Sequence, residues 1–268
     1  MTSYRNAPGR RPWRRGRLLL LLVAVVVAAL VVVTGMGLLV VTSLTTRTTA
    51  STGTAAAARP TSGPELRDAL AAQPMLSVTE ADARGGTPVA TPGPSIGVPG
   101  STLIGPARVP SGFPQTPAGA IGQLAAIEIS VLSRMSIPGI GEIYQEWAMP
   151  GAPALDQWPL MTHVQAFLAA ARMGQVKDAT TTIQLSPVGA QTKASDGPDW
   201  TIACVLVDAT VTIRTSARAA FGYCERMQWD PTGLRWLIAP GASPASAPST
   251  WPDTEVAQRA GWLTWADA

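Results

Sequence analysis

The sequence predicts an α+β protein with an N-terminal transmembrane helix, a flexible stalk, and one outer domain of helices packed on a curved antiparallel sheet. Three observations predict it. An uncharged apolar run fills residues 18–44, and a Pro/Gly/Thr/Ala-rich stretch fills 45–110. Beyond Ser111 the apolar residues recur first with helical spacing and then in β-rich runs separated by turn residues.

The membrane segment comes first. LLLLLVAVVVAALVVVTGMGLLVV is 24 residues with no charge. As a helix it reaches roughly 36 Å, enough to cross a hydrocarbon layer of about 30 Å with some tilt. Only a helix satisfies its own backbone in lipid. Residues 1–17 carry six arginines and no acid. Arg10, Arg11, Arg14, Arg15 and Arg17 lie nearest the segment and set its orientation by the positive-inside rule. They place 1–17 as a cytoplasmic basic tail and everything after residue 44 outside the membrane. A cleaved signal peptide is the alternative, but its apolar region is roughly 7–15 residues.

Residues 45–110 read as a stalk. Prolines every few residues in its second half exclude a long helix or a central strand. Apolar side chains are too sparse to offset the entropy of ordering. A short helix is expected around Pro64–Ala72, with Pro64 in its first turn and Gln73-Pro74 as its stop.

The outer domain is expected over 111–268. Thr116-Pro117 reads as a cap followed by a first-turn proline. Ile121, Leu124, Ala125, Ile127, Glu128, Val131, Leu132 and Met135 continue mostly at helical spacing, and Ile137-Pro138-Gly139 ends the helix. A second helix spans about Ile140–Trp147. A third runs from about Pro159 to Met173 and stops at Gly174. Strands are expected over Ala179–Val188, Trp200–Ile213, Arg218–Trp229 and Leu234–Ile238, joined by short turns into a meander. Three helices followed by four strands fit a curved sheet wrapped over helices, the cone of the nuclear transport factor two-like superfamily. A loop over Gly241–Ser249 and a last helix over about Pro252–Trp265 complete the chain. Eight of the nine tryptophans lie beyond Ser111, as expected of a real core.

A formal net charge of +3 and a basic isoelectric point suggest nucleic acid, but the distribution opposes it. From Ser111 onward there are nine basic and thirteen acidic side chains, so no phosphate-binding face is expected. His163 is the sole histidine and has no cluster at ligand spacing, so no metal or other cofactor is expected. Asp196, Asp199 and Asp208 are potential acids. The first two fall in a turn, where Asp serves the backbone. Phosphate loop and dinucleotide fingerprint are missing from the sequence, and the reading is non-enzymatic.

Cys204 and Cys224 are the only cysteines and lie on neighbouring predicted strands whose midpoint is the turn. They are a disulfide candidate in an oxidising compartment. Their faces conflict: Cys224 shares its face with Arg226 and Gln228, Cys204 with Ile202 and Leu206. A bulge within Arg214–Ala219 would reconcile them. Two unpaired small hydrophobes are the alternative. Trp251, Trp262 and Trp265 are candidates for a partner surface, with core placement as the competing reading.

VPSGFPQTPAGAIGQLAAIEISVLSR, WAMPGAP and GYCERMQWDPTGLRWLIAPGASPASAPSTWP resemble a family of uncharacterised single-pass proteins of actinobacterial conjugative and integrative elements. More distantly, the layout resembles the bitopic assembly factors of type IV secretion systems. The resemblance implies a scaffold in a DNA-transfer apparatus, at the cell membrane, with other apparatus subunits or further copies of itself as partners. It departs from the Gram-positive transfer proteins, which often carry two such domains in tandem. An accessory protein of a lipid transporter and an extracytoplasmic ligand-binding or enzymatic domain are the competing expectations.

Overall fold

The computed structural model describes residues 61–268, and within them the protein is an α+β domain with a curled, half-barrel sheet packed against helices. The expected transmembrane helix and basic tail lie outside the described residues. Among the described residues no helix is long and apolar enough to cross a membrane.

The helical layer keeps the expected order, but Ile137-Pro138-Gly139, expected to end one helix, forms the first turn of the next. Here α1 is Pro64–Ala72, α2 is Pro117–Arg134, α3 is Ile137–Trp147 and α4 is Pro159–Ala170. Thr116 caps α2 by accepting from the Gly119 amide at 3.0 Å, and Ser136 caps α3 by accepting from the Gly139 amide at 3.2 Å. The proline after each cap occupies the first turn, where its missing N–H costs nothing. Helix α2 is the central element: Ile121, Leu124, Ile127 and Val131 are fully buried. It ends with Met135 in the left-handed region at φ 40°.

The predicted meander is present as β4 (Thr182–Ser195), β5 (Trp200–Thr212), β6 (Ser216–Asp230) and β7 (Arg235–Ile238). Strand β4 runs past its predicted end at Val188 because a register shift between Pro187 and Gly189 absorbs the proline that cannot join the ladder. The β5–β6 pairing runs without a shift from Trp200↔Gln228 to Thr212↔Ser216. The sheet continues beyond β4, in the order β1-β8-β4-β5-β6-β7, with β1 at Ser95–Val98 and β8 at Leu263–Asp267. A separate small hairpin pairs β2 (Leu103–Ile104) with β3 (Pro110–Ser111).

Two expectations are corrected here. Of the stalk expected over 45–110, residues 45–60 lie outside the described residues, and 64–110 do not behave as a spacer. Helix α1 docks on the sheet, and β1 pairs in parallel with β8 through Ser95↔Thr264 to Val98↔Asp267. Composition misleads because these residues borrow burial from a sheet made elsewhere in the chain: Ala71, Ala83 and Val98 are each about 1% exposed. The last helix is also shorter than expected. Helix α5 spans only Glu255–Arg259, since Gly261 at φ 84° turns the chain out of helix and into β8.

The sheet is therefore covered on both faces, and residues 200–207 are buried without a break. Ala203, Val205, Val207, Tyr223 and Met227 face the helices. Trp200, Ile202, Cys204, Leu206 and Cys224 face the other way, under Ala71, Leu70, Met75 and Trp262. The 241–250 loop presses on that second face. A Cβ at Gly222 would meet the Pro248 carbonyl oxygen at 2.7 Å, so only glycine fits there.

Candidate functional site

Inside the curl, β6 places Phe221, Tyr223, Glu225 and Met227 on its helix-facing side by strict alternation. Trp158, at the start of α4, donates its indole N–H to the Tyr223 hydroxyl at 3.0 Å and to Glu225 Oε2 at 3.1 Å. The Tyr223 hydroxyl donates to the same Glu225 oxygen, and the Arg226 amide donates to Oε1 at 3.0 Å. Glu225 is thus a buried carboxyl with both oxygens engaged. Burial raises its pKa above the ordinary carboxylate value despite these bonds, and burial pushes the Tyr223 phenol well up.

Glu128 approaches from the helix side. It is fully buried on α2 and neither oxygen has a hydrogen-bond partner. Desolvation alone drives its pKa well above the ordinary range, so the carboxyl is held neutral. Its negative form would also oppose ionisation of Tyr223, which places the two in one electrostatic neighbourhood.

One turn further along α2 the interior opens. Leu132 and Met135, with His163 of α4, form the floor of an apolar cavity of about 70 Å³. Its walls are Ile183 and Leu185 of β4 and the start of β6, including Phe221. The Phe221 ring meets the His163 ring edge-on at 5.0 Å. His163 is 5% exposed, and its Nδ1 has no partner. Burial lowers its pKa from 6.5 to about 4, so the imidazole is neutral at physiological pH.

The acids weighed from sequence lie elsewhere. Asp196 accepts from Arg67 Nε at 2.6 Å and from the Gly63 amide at 3.0 Å, and these bonds hold it below the usual range. Asp199 accepts from Gln115, and Asp208 forms a two-pronged pair with Arg218, with Nε at 2.8 and 3.0 Å. None of the three lines the cavity. The sequence reading missed the interior pair. Glu128 carried a usable signal, since it stands four residues from both Leu124 and Leu132 on the buried stripe. Glu225 carried a weaker one, its alternation with Tyr223 and Met227.

Cys204 and Cys224 are bonded to each other as directly opposed residues on β5 and β6. The conflict of faces resolves without a bulge. Arg226 does share the bridge's face, and that face is buried: Arg226 is 3% exposed and its Nη1 pairs with Asp68 of α1 at 2.6 Å. The three tryptophans proposed for a partner surface divide. Trp262 is enclosed and donates to the Pro248 carbonyl at 3.0 Å. Trp251 is half-buried under the Arg218 guanidinium, 4.9 Å from its ring centre. Trp265 is half-buried and donates to Asp267 at 3.0 Å. Among the described residues the most exposed large apolar side chains are Leu103, Ile104 and Leu234, with 64–72% of their surface free. The β2–β3 hairpin and the β6–β7 turn that carry them both touch Trp147: its indole donates to Pro106 O at 3.2 Å and Arg235 lies 5.0 Å over its ring.

Among the described residues no group of His, Cys, Asp or Glu is arranged to hold a metal ion. Comparison of the chain with protein-family models, with curated proteins and with solved structures finds no match.

Proposed function

We propose that this protein is a membrane-anchored, non-enzymatic assembly component of a conjugative DNA-transfer apparatus of the type IV secretion kind, acting through its extracytoplasmic domain. The observation that carries the reading is the Cys204–Cys224 bridge, in a domain that follows an arginine-flanked, uncharged apolar run. A bridge of this sort persists in oxidising compartments, and the arginines favour the same side for the domain. We read the curled sheet and its helices as a nuclear transport factor two-like cone. An assembly role is further supported by the burial of both interior carboxyls: neither Glu128 nor Glu225 lines the cavity, whose one titratable side chain, His163, has no carboxylate beside it in the lining. The excess of seventeen acids over twelve bases from Thr61 onward argues for protein partners over nucleic acid. The exposed Leu103, Ile104 and Leu234 are the contact residues of this reading.

Two experiments test it. A periplasmic-type reporter fused after Ala268 is expected to be active and a cytosolic one silent; the reverse pattern ends the reading. Purification of the native protein from membranes should recover subunits of a secretion channel, including its ATPase. Recovery of lipid-transporter subunits instead would move the assignment to an accessory role in lipid traffic.

A further inference from the structure

The cavity beside His163 has no part in the assembly reading, and its construction is specific. Its space exists because Ala209, Ala217 and Ala219 face inward on neighbouring strands, where Val or Leu would fill it. The lining holds no charged side chain, and His163 is its only side chain able to form a hydrogen bond. That side chain is more than nine-tenths buried, and its Nδ1 is without a partner. A buried polar group without a partner costs stability, while apolar cavities stay dry and accept apolar guests. Several wall residues, among them Ile183, Ala217 and Phe221, are only half-buried, so the cavity opens at the end of the sheet where β4 begins and the β5–β6 turn lies.

We propose that this cavity binds a small uncharged amphiphile, whose apolar body lies against Met135, Phe221 and the three alanines and whose single hydroxyl bonds the His163 imidazole. A charged guest is disfavoured because nothing in the lining offsets the desolvation of its charge. A pure hydrocarbon leaves the imidazole without a partner and binds more weakly than the matching alcohol. The neutral ring of His163 both donates and accepts, so it suits a hydroxyl in either role.

The test uses the full chain in detergent micelles with ¹³C-labelled alanine and methionine methyl groups, titrated with 1-hexanol. The methyl signals of Met135 and Ala219 should shift saturably, while those of Ala71 and Ala257 on the opposite face of the sheet stay in place. Hexanoate at neutral pH should leave all four unmoved. His163→Phe should weaken hexanol binding by about tenfold, the size expected for one lost hydrogen bond. Ala219→Trp should abolish the Met135 shift by filling the space, with unchanged Ala71 and Ala257 signals as the check that the fold is intact. Should that variant not fold, Ala209→Leu carries the same expectation. The proposal is overturned by a titration in which Met135 and Ala219 do not saturate, by hexanoate binding as well as hexanol, or by an affinity that His163→Phe leaves unchanged.

Discussion

Glu128 is carried into the core by the same helical periodicity that buries Leu124 and Leu132. Its pKa lies above the ordinary carboxylate value, so the stability of the neutral form is complete below about pH 4.5 and is lost as pH rises through the raised value. Glu128→Gln keeps the shape and removes the proton. Its thermal stability should match the parent below about pH 4.5 and exceed it at alkaline pH, by about 1–3 kcal/mol. A constant difference across that range would show that the carboxyl does not titrate in the core. His163 acts in the opposite direction. Its folded-state pKa of about 4 is depressed from 6.5, so its contribution is present above 6.5 and lost as pH falls through 4. About 3 kcal/mol should disappear over that acid limb, and His163→Phe should flatten it. An acid limb unchanged in the variant would assign it to other groups. Of these two residues, only Glu128 had a signal of burial in its spacing, four residues from Leu124 and Leu132, and the reading did not use it. The environment of His163 depends on Phe221, which is distant in the chain and was not legible.

At the scale of elements, the docking of α1 and the β5–β6 bridge decide how the outer face of the sheet is closed. Arg226 is buried only because Asp68 arrives from α1 to pair with it. Asp68→Ala leaves the guanidinium without its charge partner and should cost about 2 kcal/mol, discounted because Asp68 itself is largely exposed. Urea unfolding checks this, and a change within a few tenths of a kcal/mol would mean that water serves Arg226 as well. The bridge closes a loop between residues 20 apart. Replacing both cysteines by alanine should cost about 3 kcal/mol, mainly by freeing the unfolded chain. Full stability in the double variant would show that the ladder alone fixes this pair. The alternation along β5 and β6 was readable, and so was their pairing across the turn. The cover on their second face was not, because the residues that provide it are spread over a Pro- and Gly-rich stretch whose own apolar content is low.

Across the whole molecule, β1 and β8 lie side by side, and Ala268 N–H donates to Val98 O at 3.1 Å, so the last strand is held by a segment that precedes the helical layer. The domain therefore extends beyond Ser111 toward the N-terminus and includes at least Gly63, whose amide donates to Asp196 at 3.0 Å. A chain starting at Ser111 loses β1 and α1, and it uncovers Trp200, Ile202 and Leu206. It should aggregate or lack the near-ultraviolet signal of packed tryptophans, while one starting at Thr61 should unfold cooperatively. Equal cooperativity in both would restore a free spacer up to residue 110.

Local sequence specified three helices ahead of a four-stranded meander, the Thr116 cap of α2 and the neighbouring cysteines. These depend on contacts between residues close in the chain or on a simple period, and local patterns encode both. Tertiary structure alone decided that the proline-rich stretch joins the sheet, that β8 replaces the end of a helix, and that Glu128, Glu225 and His163 share one interior. Those outcomes arise from burial supplied by distant segments, and the free energy of such burial is written in no single stretch of sequence.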